Sequence, residues 1–364
     1  MSNTSFAAEP PVSAFHFRDF RLFVFGRLLA TLAMQMQGVA VGWQVYALTG
    51  NALDLGYVGL VQFLPALLMS PLTGHVADRF DRRYVLVACY SGLLLGTSLL
   101  FACSRSAHPS VASIYAVLAL SGTARAFLGP ASSAFMPNLV PRENYPNAVA
   151  WSSSLFQVAV IGGPALGGLL YSLGSASQVY GIAIGLELVT VLVMLVVRAR
   201  SAQTPSAGRS LGDLLAGLRY VWDKPVILGA ISLDLFAVLF GGAVALLPVY
   251  ARDILHIGPQ GMGVLRSAPA IGALIVGVVL AYRPIRKRAG RAMYLCVALF
   301  GVATIVFGLS HNFVVSLLAL VVSGAADMVS VFVRQSLVQL RTPDAMRGRV
   351  SAVNLVFVGA SNEF

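Results

Sequence analysis

Charge is scarce in this 364-residue sequence: Asp, Glu, Lys and Arg together make up 11% of it, where a soluble chain carries about a quarter. Acids are the scarcer sign, 14 against 25 Lys and Arg. The three cysteines, Cys89, Cys103 and Cys296, lie in or at the ends of apolar runs without paired spacing, which argues against a disulfide framework or a zinc site. His16, His75, His108, His256 and His311 are scattered and give no metal-ligand spacing. No Gly-x-x-x-x-Gly-Lys phosphate loop is present, so nothing in this sequence draws on ATP. No Ser/His/Asp constellation stands out. An enzyme, a metal and a cofactor are therefore not expected.

What the chain has in abundance is apolar sequence, 57% of all residues. A chain so composed cannot cover a water-facing surface, and an all-α integral membrane protein is the class that fits. About 20 apolar residues are needed per crossing. On that rule spans are predicted at 20–48, 55–77, 84–103, 111–136, 148–173, 179–197, 226–251, 262–282, 292–309 and 313–337. An eleventh begins near 350 and is cut short at 364, so the C-terminal end reads as truncated within that helix. The polar start of the chain has no signal-peptide pattern, and the first span reads as uncleaved.

The formal charge of +11 would fit a nucleic-acid partner if it were clustered, but it is not. Arg79, Arg82, Arg83, Arg142 and the cations of 198–224, 283–291 and 341–349 fall in alternate connections, with Arg105 and Arg252 opposite them. This is the positive-inside pattern, and it predicts a cytoplasmic N-terminus and no nucleic-acid partner.

Residues 74–83, Gly-His-Val-Ala-Asp-Arg-Phe-Asp-Arg-Arg, are predicted as a short charged loop at the membrane surface. Its cations set topology, and its carboxylates, Asp78 and Asp81, point to a charge switch. The chain also repeats itself. Ser121-Gly122-Thr123-Ala124-Arg125 matches Ser323-Gly324-Ala325-Ala326-Asp327 at an offset of 202, and Pro141 matches Pro343 at the same offset. Two parallel halves of six spans explain this, with 1–197 as the first half, 225–364 as the incomplete second and 198–224 as a linker. Leu211, Leu214, Leu215, Leu218 and Val221 give the linker an amphipathic helical stretch on the membrane surface.

These features together resemble the major facilitator superfamily of secondary transporters. Gly74, Asp78, Arg79, Arg82 and Arg83 resemble its loop signature, with Asp81 where a glycine is usual. Arg125 followed by Gly129 resembles its fourth-helix arginine motif, and Gly162, Gly163, Pro164, Gly167 and Gly168 resemble its fifth-helix antiporter motif. The stretches 42–50 and 346–350 are similar to the bacterial branch that contains enterobactin exporters and macrolide-efflux proteins. The resemblance implies the major facilitator fold, a multi-pass location in a bacterial inner membrane and a monomer. It also implies proton-coupled efflux of a small organic molecule, a siderophore or hydrophobic drug, by alternating access.

The intramembrane charges carry the candidate chemistry. Arg125 is either a structural ion-pair member or the group that tunes a proton-binding acid. The available acids are Asp234, first choice as proton carrier, with Glu187 and Asp327. The segment 74–83 is expected to gate the cytoplasmic side, with Asp78 binding the start of the eleventh helix. The fifth-helix glycines are expected to bring a neighbouring helix close, with Pro164 allowing a kink. The resemblance implies that this helix seals the two halves against proton leak. Gln35, Trp43, Gln44, Gln62 and Phe63 are expected to face a substrate cavity, although interhelical packing accounts for them equally well. Uptake by proton symport, a non-transporting receptor or scaffold, and a membrane-embedded enzyme are the competing readings.

Overall fold

The computed structural model describes residues 13–106, 109–199, 218–240, 244–283, 285, 289–343, 346 and 350; at 70, 71, 74, 75, 77, 78, 234, 236–240 and 339–341 it describes the backbone alone. Among these residues there is no strand. The long helices are α1 (Arg18–Thr49), α2 (Ala52–Arg79), α3 (Arg82–Ser104), α4 (Val111–Phe135), α5 (Tyr145–Leu173), α6 (Ala176–Val196), α7 (Pro225–Phe240), α8 (Gly258–Tyr282), α9 (Ala289–Leu309) and α10 (Phe313–Arg341). All but α7 include a stretch long and apolar enough to cross a membrane. The fold is all-α, and the chain is a multi-pass membrane protein.

Short polar turns end one helix and start the next. Gly50 closes α1 in the left-handed region, φ 63°, where a side chain would be strained, and its N–H bonds to Tyr46 O. Asn51 follows and caps α2 by accepting from Leu53 N at 3.1 Å. Asn312 caps α10 through Val314 N and Val315 N. Such turns make consecutive helices antiparallel, so one end of the bundle carries the start of α1 and the far end carries its finish.

The bundle is apolar outward. Leu188, Leu192 and Leu195 of α6 and Ile275, Val278 and Val279 of α8 are exposed, whereas Glu187, Thr190, Ser121 and Ser267 are buried. A water-soluble protein has the reverse arrangement; a bilayer favours this one.

The internal repeat of the sequence reappears as packing. α2 lies along α4, and α8 lies along α10. A Cβ at Gly122 of α4 would strike the carbonyl of Gln62 in α2. A Cβ at Gly324 of α10 would likewise strike the carbonyl of Pro269 in α8. Bare backbone at the same repeat position allows the same close helix approach in both halves. The first half is completed by α1 against α5 and α6, and by α3 against α4 and α6.

Two expectations change. Residues 74–79 are not loop but the last turns of α2, and only Phe80 and Asp81 separate it from α3. The reason is local: Asp81 is an N-cap, accepting from Arg83 N at 3.0 Å, so α3 starts at once. The seventh span is divided. α7 is followed beyond 243 by a turn at 244–246, a short helix at Leu247–Val249 and a π-helical segment at Tyr250–Ile254. Most of the predicted linker helix lies outside the described residues. Residues 218–222 are helical, with Val221 buried against Ile227 and Ile231 of α7.

Candidate functional site

The two sets of helices meet along α5 and α8. Gly168 and Gly263 make that seam: a Cβ on Gly168 would strike Pro259 O and lie 3.0 Å from Gly263 Cα. Ser267 Oγ donates across it to Ile161 O at 2.6 Å, and Gln157 Nε2 donates to Ala270 O at 3.2 Å. Gly163 and Gly167 face the other way, onto α1. Cβ atoms there would lie 2.5 Å from Gln35 Cβ and 2.8 Å from Met36 Cα respectively. Gly162 faces open space within 4 Å. Pro164 is buried inside α5, where it withholds an N–H from the helix ladder, and its own carbonyl abuts Gly263. One helix thus uses its bare strip twice, within its own half and across the seam.

A cavity of about 480 Å³ lies between the halves. That volume suits an organic solute of drug size. From the first half Gln35, Gln37, Gln62 and Arg125 reach its wall; from the second, Arg266, Thr304 and Asp327 do. Met34, Leu93, Leu118 and Phe300 supply apolar surface. Arg125 Nη1 donates to Gln62 Oε1 at 2.6 Å, so α4 presents its cation next to an amide held on α2. Arg266 crosses to the opposite half, where a Cβ on Gly38 of α1 would lie 3.1 Å from its Nη2.

Glu187 lies beside this cavity but not on its wall. Its residue is 1% exposed. Its two carboxyl oxygens, with Thr97 Oγ1 and Ser121 Oγ, have no hydrogen-bond partner among the described residues within ordinary bonding geometry. Thr97 of α3 and Arg125 of α4 are among its polar neighbours. An intramembrane acid so placed is expensive to keep charged.

Of the residues the sequence singles out, Gln35, Gln62, Arg125 and Asp327 share the cavity. Trp43, Gln44 and Phe63 lie elsewhere. Trp43 packs edge-on to Tyr171, with ring centroids 6.4 Å apart. Gln44 accepts from Tyr180 Oη at 2.7 Å in the interior of the first half, and Phe63 is buried. The side chains of Asp78 and Asp234, and the proposed contact of Asp78 with the eleventh helix, lie outside the described residues, as do the side chain of Gly74's neighbour His75 and residues 347–349. Arg79 is the last residue of α2 and is exposed. Arg82 Nη1 donates to Ala134 O at 3.0 Å and Arg83 Nη2 to Leu195 O at 2.6 Å. Each puts a cation on carbonyls at the C-terminal end of a helix, α4 and α6, where the dipole favours it.

Sequence reasoning missed two cations. Arg266 sits in mid-α8 on the cavity wall, and Arg334 of α10 is 2% exposed. Both belong to no motif. The signal was there nonetheless: any Arg inside an apolar span requires partners and marks a site to examine.

An all-helical bundle of membrane-spanning length, folded as two repeats around a cavity lined with intramembrane charges, defines the class as a secondary transporter. The chain belongs to the Major Facilitator Superfamily, whose family model matches residues 23–362. It is a transporter and not an enzyme. It is 26% identical over 335 residues to the enterobactin exporter EntS of Shigella dysenteriae serotype 1 (strain Sd197), covering 92% of this chain and 80% of the relative. Among solved structures it matches the nucleoside transporter NupG with a TM-score of 0.72 at 17% identity, over 95% of this chain and 87% of that one. It also matches a bacterial homologue of the human lysosomal transporter Spinster, in an inward-facing and unoccupied conformation. There the TM-score is 0.69 at 15% identity, over 95% of this chain and 80% of that one.

Proposed function

We propose that this chain exports a small organic molecule, a siderophore or a hydrophobic drug, across a bacterial inner membrane in exchange for protons. The observation that carries the reading is the cavity between the halves, with Arg125 and Asp327 on its wall and Glu187 buried beside it. The likeness to the enterobactin exporter supports the siderophore class and the outward direction. In this reading 1–197 and 225–364 rock against each other about 198–224, with the N-terminus cytoplasmic. The segment 74–83 gates the cytoplasmic side, and α5 keeps the seam tight against protons. Glu187 and Asp234 are the candidate proton carriers, with Arg125 tuning Glu187.

Uptake by proton symport is the competing direction. Inverted membrane vesicles with an acidified lumen separate the two directions. Export by exchange predicts that enterobactin or a hydrophobic fluorescent dye accumulates in the vesicles, that a protonophore collapses the accumulation, and that Glu187→Gln or Asp234→Asn abolishes it. Proton-coupled movement out of the acid lumen would establish symport instead. Accumulation untouched by the protonophore and by both variants would reject proton coupling.

A further inference from the structure

We infer that the cargo is recognised through neutral hydrogen bonds by Gln35 and Gln37 of α1, and that it carries a donor and an acceptor side by side on one edge, as a carboxamide or lactam does. This rests on reading the cavity as the cargo site and is independent of how transport is coupled. The glutamines within α1, α2 and α5 sort into two groups. Gln44 accepts from Tyr180 Oη at 2.7 Å, and Gln157 Nε2 donates across the seam to Ala270 O at 3.2 Å. Gln62 is occupied at both ends of its amide: Oε1 accepts from Arg125 Nη1 at 2.6 Å, and Nε2 donates to Val58 O at 3.3 Å. Gln35 and Gln37 are different. Neither amide has a hydrogen-bond partner among the described residues, and both residues line the cavity. Packing between and along helices therefore accounts for the first three glutamines and not for these two.

Their placement adds to this. Two positions along a helix turn a side chain by about 200°, so Gln35 and Gln37 stand at the two edges of the cavity-facing strip of α1, with Met34, Gly38, Val41 and Gly42 between them. Gln37 is only 8% exposed, yet its amide, unlike the oxygens of Glu187, is not sealed off. The other polar groups of the wall are committed or closed. Thr304 Oγ1 donates to Phe300 O at 2.9 Å and Ser323 Oγ to Leu320 O at 2.8 Å, each within its own helix. Ser121 Oγ is sealed off, and Arg125, Arg266 and Asp327 each already interact with other groups. Among the described residues, that leaves the two amides as the groups a cargo can pair with while every existing contact is kept. A glutamine amide offers a donor and an acceptor on one planar edge. A carboxamide meets both with two parallel bonds, the two-point match that glutamine makes with the edge of a base. A ketone or ester only accepts, and leaves the glutamine oxygen unmet.

The test is equilibrium dialysis of the full chain in lipid nanodiscs at one fixed pH, with empty nanodiscs giving the share of each probe held by lipid. Three probes of nearly equal size are compared: 2-naphthamide, which donates and accepts, 2-acetylnaphthalene, which only accepts, and 2-isopropylnaphthalene, which does neither. Affinities are referred to the probe concentration in the lipid, so that the apolar attraction common to bilayer and site cancels. The expected result is saturable binding of the amide, about tenfold or more tighter than the hydrocarbon, with the ketone between them. Gln35→Leu and Gln37→Leu should each remove part of that preference, and the double variant all of it, without weakening the hydrocarbon. Equal binding of the three probes, no saturable binding of the amide, or a preference that survives the double variant overturns the inference. The comparison on the unaltered chain stands even if a variant does not fold. Proton-driven export without amide preference would refute this inference and leave the proposed function intact. Amide binding that the double variant loses, without proton-driven movement, would do the reverse.

Discussion

The hydroxyl of Tyr46, near the finish of α1, donates a hydrogen bond to the carboxylate of Asp253 in the π-helical segment before α8. Arg252 closes the same corner. Its Nη1 donates to Tyr46 O at 3.4 Å, its guanidinium lies 5.7 Å from the Tyr46 ring centroid, and its Nε stands 3.9 Å from Asp253. The two halves are thereby tied at the far end. The Arg252–Asp253 pair is about half exposed and contributes little by itself. The phenol bond is the larger part, roughly 1–2 kcal/mol after solvent screening. Tyr46→Phe keeps the ring and removes only that bond. It should raise the population of separated far ends by roughly tenfold, read as a longer-distance component in pulsed electron resonance between spin labels at Leu48 and His256. An unchanged distance distribution would show that this bond does not hold the far end shut.

The glycines of α5 separate into three classes that transport and packing assays should resolve. Gly168→Ala sets a methyl against the carbonyl of Pro259 and should force the seam apart, abolishing transport while the protein still inserts. Gly167→Ala meets the Met36 backbone within the first half and should lower thermal stability by about 1–3 kcal/mol. Gly162→Ala has open space and should do neither. If all three behave alike, the seam is not where α5 acts.

Arg82, Arg83 and Asp81 test a structural role against a switching one. Arg82 and Arg83 each donate to a helix-end carbonyl, at Ala134 and Leu195. Asp81 caps α3. Arg82→Gln should reduce stability by about 1 kcal/mol or more through the lost charge-assisted bond. Asp81→Asn retains a capping oxygen and should be nearly neutral, whereas Asp81→Ala should cost about 1 kcal/mol. Melting curves in detergent give these values. Loss of transport in Asp81→Asn at unchanged stability would mean that the charge itself is used.

Glu187→Gln makes opposite demands on stability and activity. The side chain is shielded, and neither carboxyl oxygen has a partner among the described residues. An amide of the same shape removes the burden of burying a charge, so the melting temperature should hold or rise. Proton-driven transport should be lost. A lower melting temperature with transport retained would make Glu187 a structural group held by its surroundings.

Much of the fold was legible because membrane spans are written in length and composition. α1 to α6 and α8 to α10 begin and end within a few residues of the predicted runs. The repeat was legible for a related reason: Gly122 and Gly324 serve the same close crossing. The site was less legible. Hydropathy gives the length of a helix but not its rotation, so it does not say which of Gln35, Trp43 and Gln44 looks inward. A motif search finds Arg125 and passes over Arg266, which stands alone in an apolar run. Residues 74–79 read as loop because they are charged, yet a helix end at a membrane surface tolerates charge as well as a loop does.

Gln35 and Gln44 make the last prediction. They are the same residue type on the same helix, but nine positions, or two and a half turns, put them on opposite faces. Gln35 lines the cavity. Gln44 accepts the hydrogen bond of Tyr180, a fully buried residue. Gln35→Ala should therefore alter the KM for cargo at little change in stability. Gln44→Ala should leave KM alone and lower stability by about 1–3 kcal/mol, because the Tyr180 hydroxyl is left unsatisfied. Adding Tyr180→Phe to Gln44→Leu removes both polar partners and should recover much of that loss, since an unmade bond costs more than an absent one. If the double variant is instead no better than Gln44→Ala, the loss comes from packing around α1 and α6 and the hydrogen bond is incidental.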